Sequence, residues 1–138
     1  MSEQRSATAT TIGVTGRYLV DSRSNIFASD SPSARDGDTV ALEPSELLLS
    51  ALGVCALGSV EKAAAELKLS VRHAKAVVDS VRDPEDRTRF ERVHIDVAVY
   101  GVTQAEAQQL IDHFTSGCVI YNTVRRGGPI SASVQAHA

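Results

Sequence analysis

From Phe90 to Gly101 the chain reads FERVHIDVAVYG, with Val93, Ile95, Val97 and Val99 on one parity and His94, Asp96 and Tyr100 on the other. Side chains alternate across a strand, so this pattern predicts a strand buried on one face and wet on the other. Ser70 to Val81 is also strand-like, and the charged run RDPEDRTR between the two segments predicts a hairpin turn. A first hairpin is expected from Thr10 to Asp30, where β-branched and aromatic residues flank the polar cluster Asp21 to Asn25. The stretch SDSPSARDGDTVALEP that follows is rich in residues that break regular structure and reads as a surface loop. Residues 1–8 read as a flexible polar lead-in.

The pattern changes at Pro44. Proline is tolerated in the first turn of a helix, and helix formers continue from there to about Leu67. The first half of this helix is apolar on every side, which predicts that other elements enclose it; Glu61, Lys62, Glu66 and Lys68 bring the second half to water. Thr103 and Glu106 have capping-box spacing, so a second helix should start there with Ala107, Leu110, Ile111 and Phe114 on its apolar side. His113 falls near its C-terminal end, where a cation complements the helix dipole. After TSGC a short irregular or helical turn is expected, with Ser116 or Gly117 as its N-cap. RGGP then breaks the chain, and ISASVQA alternates as a last strand. Helices interrupting antiparallel hairpins give an α+β fold, here a single domain over residues 1–138.

Charge and composition narrow the function. The chain has 17 acidic and 14 basic residues, and its basic residues never cluster beyond Arg125-Arg126, so it lacks the electrostatic footprint of a nucleic-acid binder. The lead-in has no apolar segment after its charges, unlike a secretory signal. The longest uncharged apolar run, Leu47 to Val60, spans 14 residues, short of the ~20 a membrane helix needs. A cytoplasmic protein with no membrane partner is the expectation. Two cysteines outside any CxxC spacing and four scattered histidines point to neither a disulfide framework nor a metal site.

The two sulfurs remain. Cys55 lies in the enclosed half of the long helix, where cysteine packs as a small hydrophobe and burial disfavours the thiolate unless a cation or a helix N-terminus is near. Cys118 follows Ser116 and Gly117, and if a helical turn begins there its thiolate is favoured by oriented N–H groups; otherwise it closes a helix-to-strand junction.

At these residues the chain resembles the OsmC/Ohr family of thiol-dependent hydroperoxide reductases. PSELLLSALGVC is similar to the family's Pro-x-Glu-Leu-Leu motif ending in the peroxidatic cysteine, and GCVIYNTVRRGGPISASV to its later segment with the second cysteine, an Asn-Thr pair and a closing strand. Ser45 stands where the hydroperoxide-resistance branch has glutamate, and Val119 where a proline often follows the second cysteine, so the pattern is closer to an OsmC-like branch than to a typical Ohr. The resemblance implies an intertwined homodimer with the cysteine-bearing helices packed centrally between antiparallel sheets. It implies that Cys55 is the peroxidatic nucleophile, resolved by Cys118 into a disulfide that an external dithiol, such as a lipoyl-protein, reduces; no resident cofactor is needed. It also implies an arginine beside the nucleophile, held by a glutamate. Arg17 occupies the early hairpin from which that arginine comes, with Arg23 and Arg35 as the other candidates nearby, and Glu46 matches the glutamate of the other branches. Glu46 and Cys55 lie on opposite faces about 13 Å apart along one helix, so within one chain they cannot touch. Glu46 therefore reads either as acting through a partner chain or as a first-turn acid complementing the helix dipole. The alternative function is a non-catalytic, stress-associated binding dimer whose interface cleft is lined by Leu48, Leu52 and Tyr121.

Overall fold

The computed structural model describes residues 4–128 and 131–134. The elements run β1 (Thr8–Thr11), β2 (Arg17–Ser22), β3 (Asn25–Asp30), α1 (Pro44–Leu67), β4 (His73–Arg82), β5 (Phe90–Tyr100), α2 (Gln104–Gly117) and α3 (Val119–Arg125). This is the expected α+β class with two antiparallel sheets. The chain gathers into two compact units, one up to Leu49 and one from Ser50 onward.

In the first unit β1, β2 and β3 form an antiparallel meander. The β2–β3 turn falls at Arg23 and Ser24, inside the polar cluster, and both residues have positive φ, as a type I′ hairpin turn requires. That turn sets a register in which Ser22 faces Asn25 and Arg17 faces Asp30. Gly16 precedes β2 at φ +79, and a Cβ there would lie 2.5 Å from the Cα of Arg35, so only glycine lets the loop close against the strand. Loop residues 31–43 return to the sheet at Leu42, whose carbonyl accepts from the Asp30 N–H at 3.1 Å and the Ser29 hydroxyl at 2.7 Å. β1 starts at Thr8, inside the stretch expected to be a lead-in.

In the second unit β4 and β5 pair over their whole length. The half-buried face of β5 is the predicted one, with Val97 and Val99 packed on a core of Val60, Ala63, Ala64 and Leu110. Asp83 closes the charged turn, accepting from the N–H groups of Glu85 and Asp86 and from Arg89 Nε. α2 starts with the full capping box of Thr103 and Glu106. Leu110 and Phe114 are its buried residues.

Four expectations are corrected here. First, α1 is not enclosed by its own chain. Leu52, Ala56, Val60, Ala63 and Ala64 form one buried stripe, but Val54 on another face is 72% exposed. By length and composition alone α1 would pass as a membrane span, yet this stripe is packed against protein. Second, α2 continues to Gly117, so His113 lies before its last turn and has no capping position. Third, the cap of α3 is Cys118 itself rather than Ser116 or Gly117. Fourth, Ser131–Val134 form no strand, because a strand exists by its ladder and these residues have no ladder partner among the described residues; the rest of the expected strand lies outside them.

Candidate active site

Cys55 is placed by α1, three positions after the buried Leu52 and one before the fully buried Ala56, which leaves the sulfur at the edge of the packed stripe and half-buried. Cys118 is placed by a helix junction. It ends α2, donating its N–H to the Phe114 carbonyl at 3.0 Å, and with extended backbone (φ −79, ψ 121) it caps α3. Asn122 locks this corner by donating to the carbonyls of Cys118 at 2.8 Å and Thr115 at 3.2 Å. Phe114 and Tyr121 pack their rings 5.0 Å apart across it.

These placements bring the two thiols into hydrogen-bond contact, although they are 63 residues apart in sequence. Burial pushes the Cys55 thiol above its ordinary range, and its hydrogen bond with Cys118 adds to the rise by favouring the protonated form. The Cys118 sulfur also accepts the Tyr121 N–H at 3.5 Å. Both thiols are free rather than bridged. Two interacting thiols of this kind can donate two electrons and close a disulfide.

Arg17 is placed in the first unit at the start of β2, opposite Asp30. The pair is bidentate, Nε to Oδ1 at 2.7 Å and Nη2 to Oδ2 at 3.0 Å. Asp30 has no exposed surface, and its Oδ2 also accepts the N–H groups of Val40 at 2.8 Å and Ala41 at 3.0 Å. One carboxylate thus fixes the arginine and the loop before α1. Arg17 and those N–H groups hold the Asp30 carboxyl well below the usual carboxylate range, and Asp30 in turn raises Arg17. Glu46 has a different post. Its Oε1 accepts the Glu43 N–H at 2.9 Å, the reciprocal half of a capping box at the start of α1, which is the first-turn role its position predicts.

Asp30 is the residue that sequence reasoning missed. A signal existed: with the hairpin turn centred on residues 23 and 24, counting outward pairs Arg17 with Asp30. Of the anticipated cleft residues, Leu52 and Tyr121 share one cavity, whereas Leu48 is not among its lining.

Two antiparallel sheets, a long cysteine-bearing helix and a second cysteine meeting the first from a helix junction define a class of small α+β proteins with paired thiols. The chain belongs to the OsmC-like protein family, whose sequence pattern matches residues 35–133. Solved structures share the fold. An OsmC-like protein from Mycoplasma pneumoniae superposes with a TM-score of 0.77 at 16% identity, covering 91% of this chain and 89% of its own. An organic hydroperoxide resistance protein from Elizabethkingia anophelis gives 0.70 at 21% identity, covering 91% and 90%. The organic hydroperoxide resistance protein OhrB of Bacillus subtilis gives 0.65 at 19%, covering 89% and 91%. No curated protein matches the chain by sequence.

Proposed function

We propose that this protein is a cysteine-based peroxidase that reduces organic hydroperoxides or hydrogen peroxide in the cytoplasm. The observation that carries the reading is the contact between Cys55 and Cys118 in an OsmC-like fold. The Cys55 thiolate attacks the terminal peroxide oxygen, the O–O bond breaks, and the departing alkoxide or hydroxide takes a proton to leave as alcohol or water. Cys55 is then a sulfenic acid. The Cys118 sulfur attacks it, water departs, and a Cys55–Cys118 disulfide remains. An external dithiol, for which a lipoyl-protein is the assigned class, returns both thiols by exchange. Arg17, held by Asp30, is the cation assigned to favour the Cys55 thiolate, because burial and Cys118 both push that thiol toward its protonated form.

The working unit is assigned as a homodimer. On α1, Ala51, Val54 and Gly58 are exposed at helical spacing, an apolar strip of small residues that permits close approach of a second helix. The mass in solution at micromolar concentration, read by light scattering, should be twice 14.7 kDa. A monomer across that range would exclude the dimer.

The catalytic reading is tested by adding one equivalent of an organic hydroperoxide to the reduced protein and measuring intact mass. Loss of two hydrogens with both cysteines bridged is expected. The raised Cys55 thiol favours a second reading, a stress-associated binding protein without turnover. An unchanged mass after peroxide would select that reading and reject the first.

A further inference from the structure

The corner between α2 and α3 turns on the amide of Asn122. The last carbonyls of an α-helix have no partner inside it. At the end of α2 one of them, that of Thr115, accepts from Asn122 Nδ2 at 3.2 Å. The same Nδ2 donates to the Cys118 carbonyl at 2.8 Å, and that carbonyl also accepts the Asn122 backbone N–H at 3.0 Å. One half-buried side chain thus uses both hydrogens of its amide to join the last turn of α2 to the residue that carries the second sulfur.

α3 is closed at its other end as well. Gly127 and Gly128 donate their N–H groups to the carbonyls of Val124 at 3.1 Å and Thr123 at 3.0 Å, and Gly127 has φ +69, the left-handed cap with which many helices end. With both ends satisfied α3 moves as one piece, and the angle it makes with α2 sets where Cys118 points. Cys118 belongs to neither helix and has extended backbone, so no continuous helical ladder fixes that angle. Two restraints cross the corner instead, the ring contact of Phe114 with Tyr121 at 5.0 Å and the Asn122 amide. Rings in contact can slide, whereas hydrogen bonds to two carbonyls are directional.

We propose that Asn122 is a positioning residue for Cys118, whose amide holds the second sulfur in reach of Cys55 and thereby decides what becomes of an oxidised Cys55. This deepens the peroxidase reading and rests on it for its place in the cycle. A Cys55 sulfenic acid has two fates. In one, Cys118 attacks it, the S–S bond forms, the S–O bond breaks and water leaves. In the other, the sulfenic sulfur takes the terminal oxygen of a second hydroperoxide, an alcohol leaves, and Cys55 becomes a sulfinic acid that a dithiol does not restore. A sulfur held in place has a high effective concentration, which favours the first fate. The holding itself needs no peroxide.

The first measurement therefore uses none. The full-length protein is equilibrated with mixtures of reduced and oxidised dithiothreitol, in which two hydrogens pass from the cysteine pair to the oxidised reagent as the bridge closes, and intact mass gives the bridged fraction. Asn122→Ala should lower the equilibrium constant for closure about tenfold, the scale of two lost hydrogen bonds. Asn122→Ser should fall between, because its hydroxyl can donate back to the carbonyl four residues earlier but does not reach Thr115. Thr103→Ala, which removes the N-cap of α2, is the control for stability alone; it should lower the melting temperature and leave the constant at the parent value. In the second measurement an organic hydroperoxide is added in rising amounts, and Asn122→Ala should gather sulfinic acid at about tenfold lower peroxide than the parent. A parent that closes no bridge, a parent-like constant in Asn122→Ala and Asn122→Ser, or an equal fall in Thr103→Ala would overturn the proposal. A lowered constant in the Asn122 variants, with no oxidation of the parent by peroxide, would remove the peroxidase reading and leave the positioning role standing.

Discussion

Cys55→Ser is expected to lower peroxide consumption with a dithiol reductant to the level of the protein-free blank, because a serine hydroxyl has no accessible anion to attack the O–O bond. Cys118→Ser should behave differently. The first oxidation still occurs, but with no second sulfur the sulfenic acid persists and is captured by a sulfenic-acid reagent, adding one label per chain. The parent protein, oxidised in the same way, should take none. Arg17→Gln should fall between these, slowing oxidation about a hundredfold at neutral pH, the scale on which a charge-stabilising donor acts. The sign of its pH dependence follows from the thiol. Burial and Cys118 raise Cys55, so the thiolate fraction and the oxidation rate grow with pH; in the proposed site, loss of the Arg17 charge should move that growth to higher pH. Stopped-flow rates between pH 6 and 9 read both effects. Parent-like turnover in both cysteine variants would end the peroxidase reading.

Asp30→Asn should cause the largest loss of stability of any single acid-to-amide change in the chain. The amide keeps the volume but offers Arg17 one acceptor in place of a bidentate carboxylate, and it turns an NH2 group toward donors that need acceptors, the N–H groups of Val40 and Ala41. Asp36→Asn, at an exposed loop position, is the control and should leave the melting temperature near that of the parent. The effect has a defined pH window. The carboxyl of Asp30 is lower in the folded than in the unfolded chain, so its stabilisation is fully present above the ordinary aspartate value near 4 and is lost as the carboxylate protonates below it. The gap in melting temperature between parent and Asp30→Asn should hold from pH 7 to about 5 and shrink toward pH 2. A gap that stays constant on acidification would show that the amide acts by steric disturbance and not by charge.

The contrast between Thr103 and Asp30 shows where the sequence was readable. Thr103, Glu106 and Pro44 act on backbone groups within one helical turn, so spacing alone reveals what they do. The alternation in β5 is equally local, and its buried face follows from parity. Asp30 gave no sign within its own turn, only the hairpin count that pairs it with Arg17, since an aspartate in a Ser- and Asp-rich stretch is the usual mark of a wet turn. Its burial depends on an arginine across a hairpin and on N–H groups ten residues onward. Glu46 was ambiguous for the opposite reason: two roles suited the same position, and spacing alone did not reveal that its side chain accepts the Glu43 N–H. The strand expected at the C-terminus misled because alternation states which faces a segment would have but does not supply a neighbour to pair with.

In the proposed cycle, the meeting of Cys55 with Cys118 would link the redox state of the protein to its resistance to unfolding. A bridge between residues so far apart closes a loop of about 60 residues and removes roughly 4 kcal/mol of conformational entropy, expressed as free energy, from the unfolded ensemble. By the same thermodynamic cycle, the folded chain holds that bridge against reduction about 90 mV more strongly than the unfolded chain does, at roughly 30 mV per 1.4 kcal/mol. The oxidised molecule of the proposed cycle should therefore be the harder one to unfold and to degrade, and the dithiol that restores the thiols would also return the protein to its more fragile form.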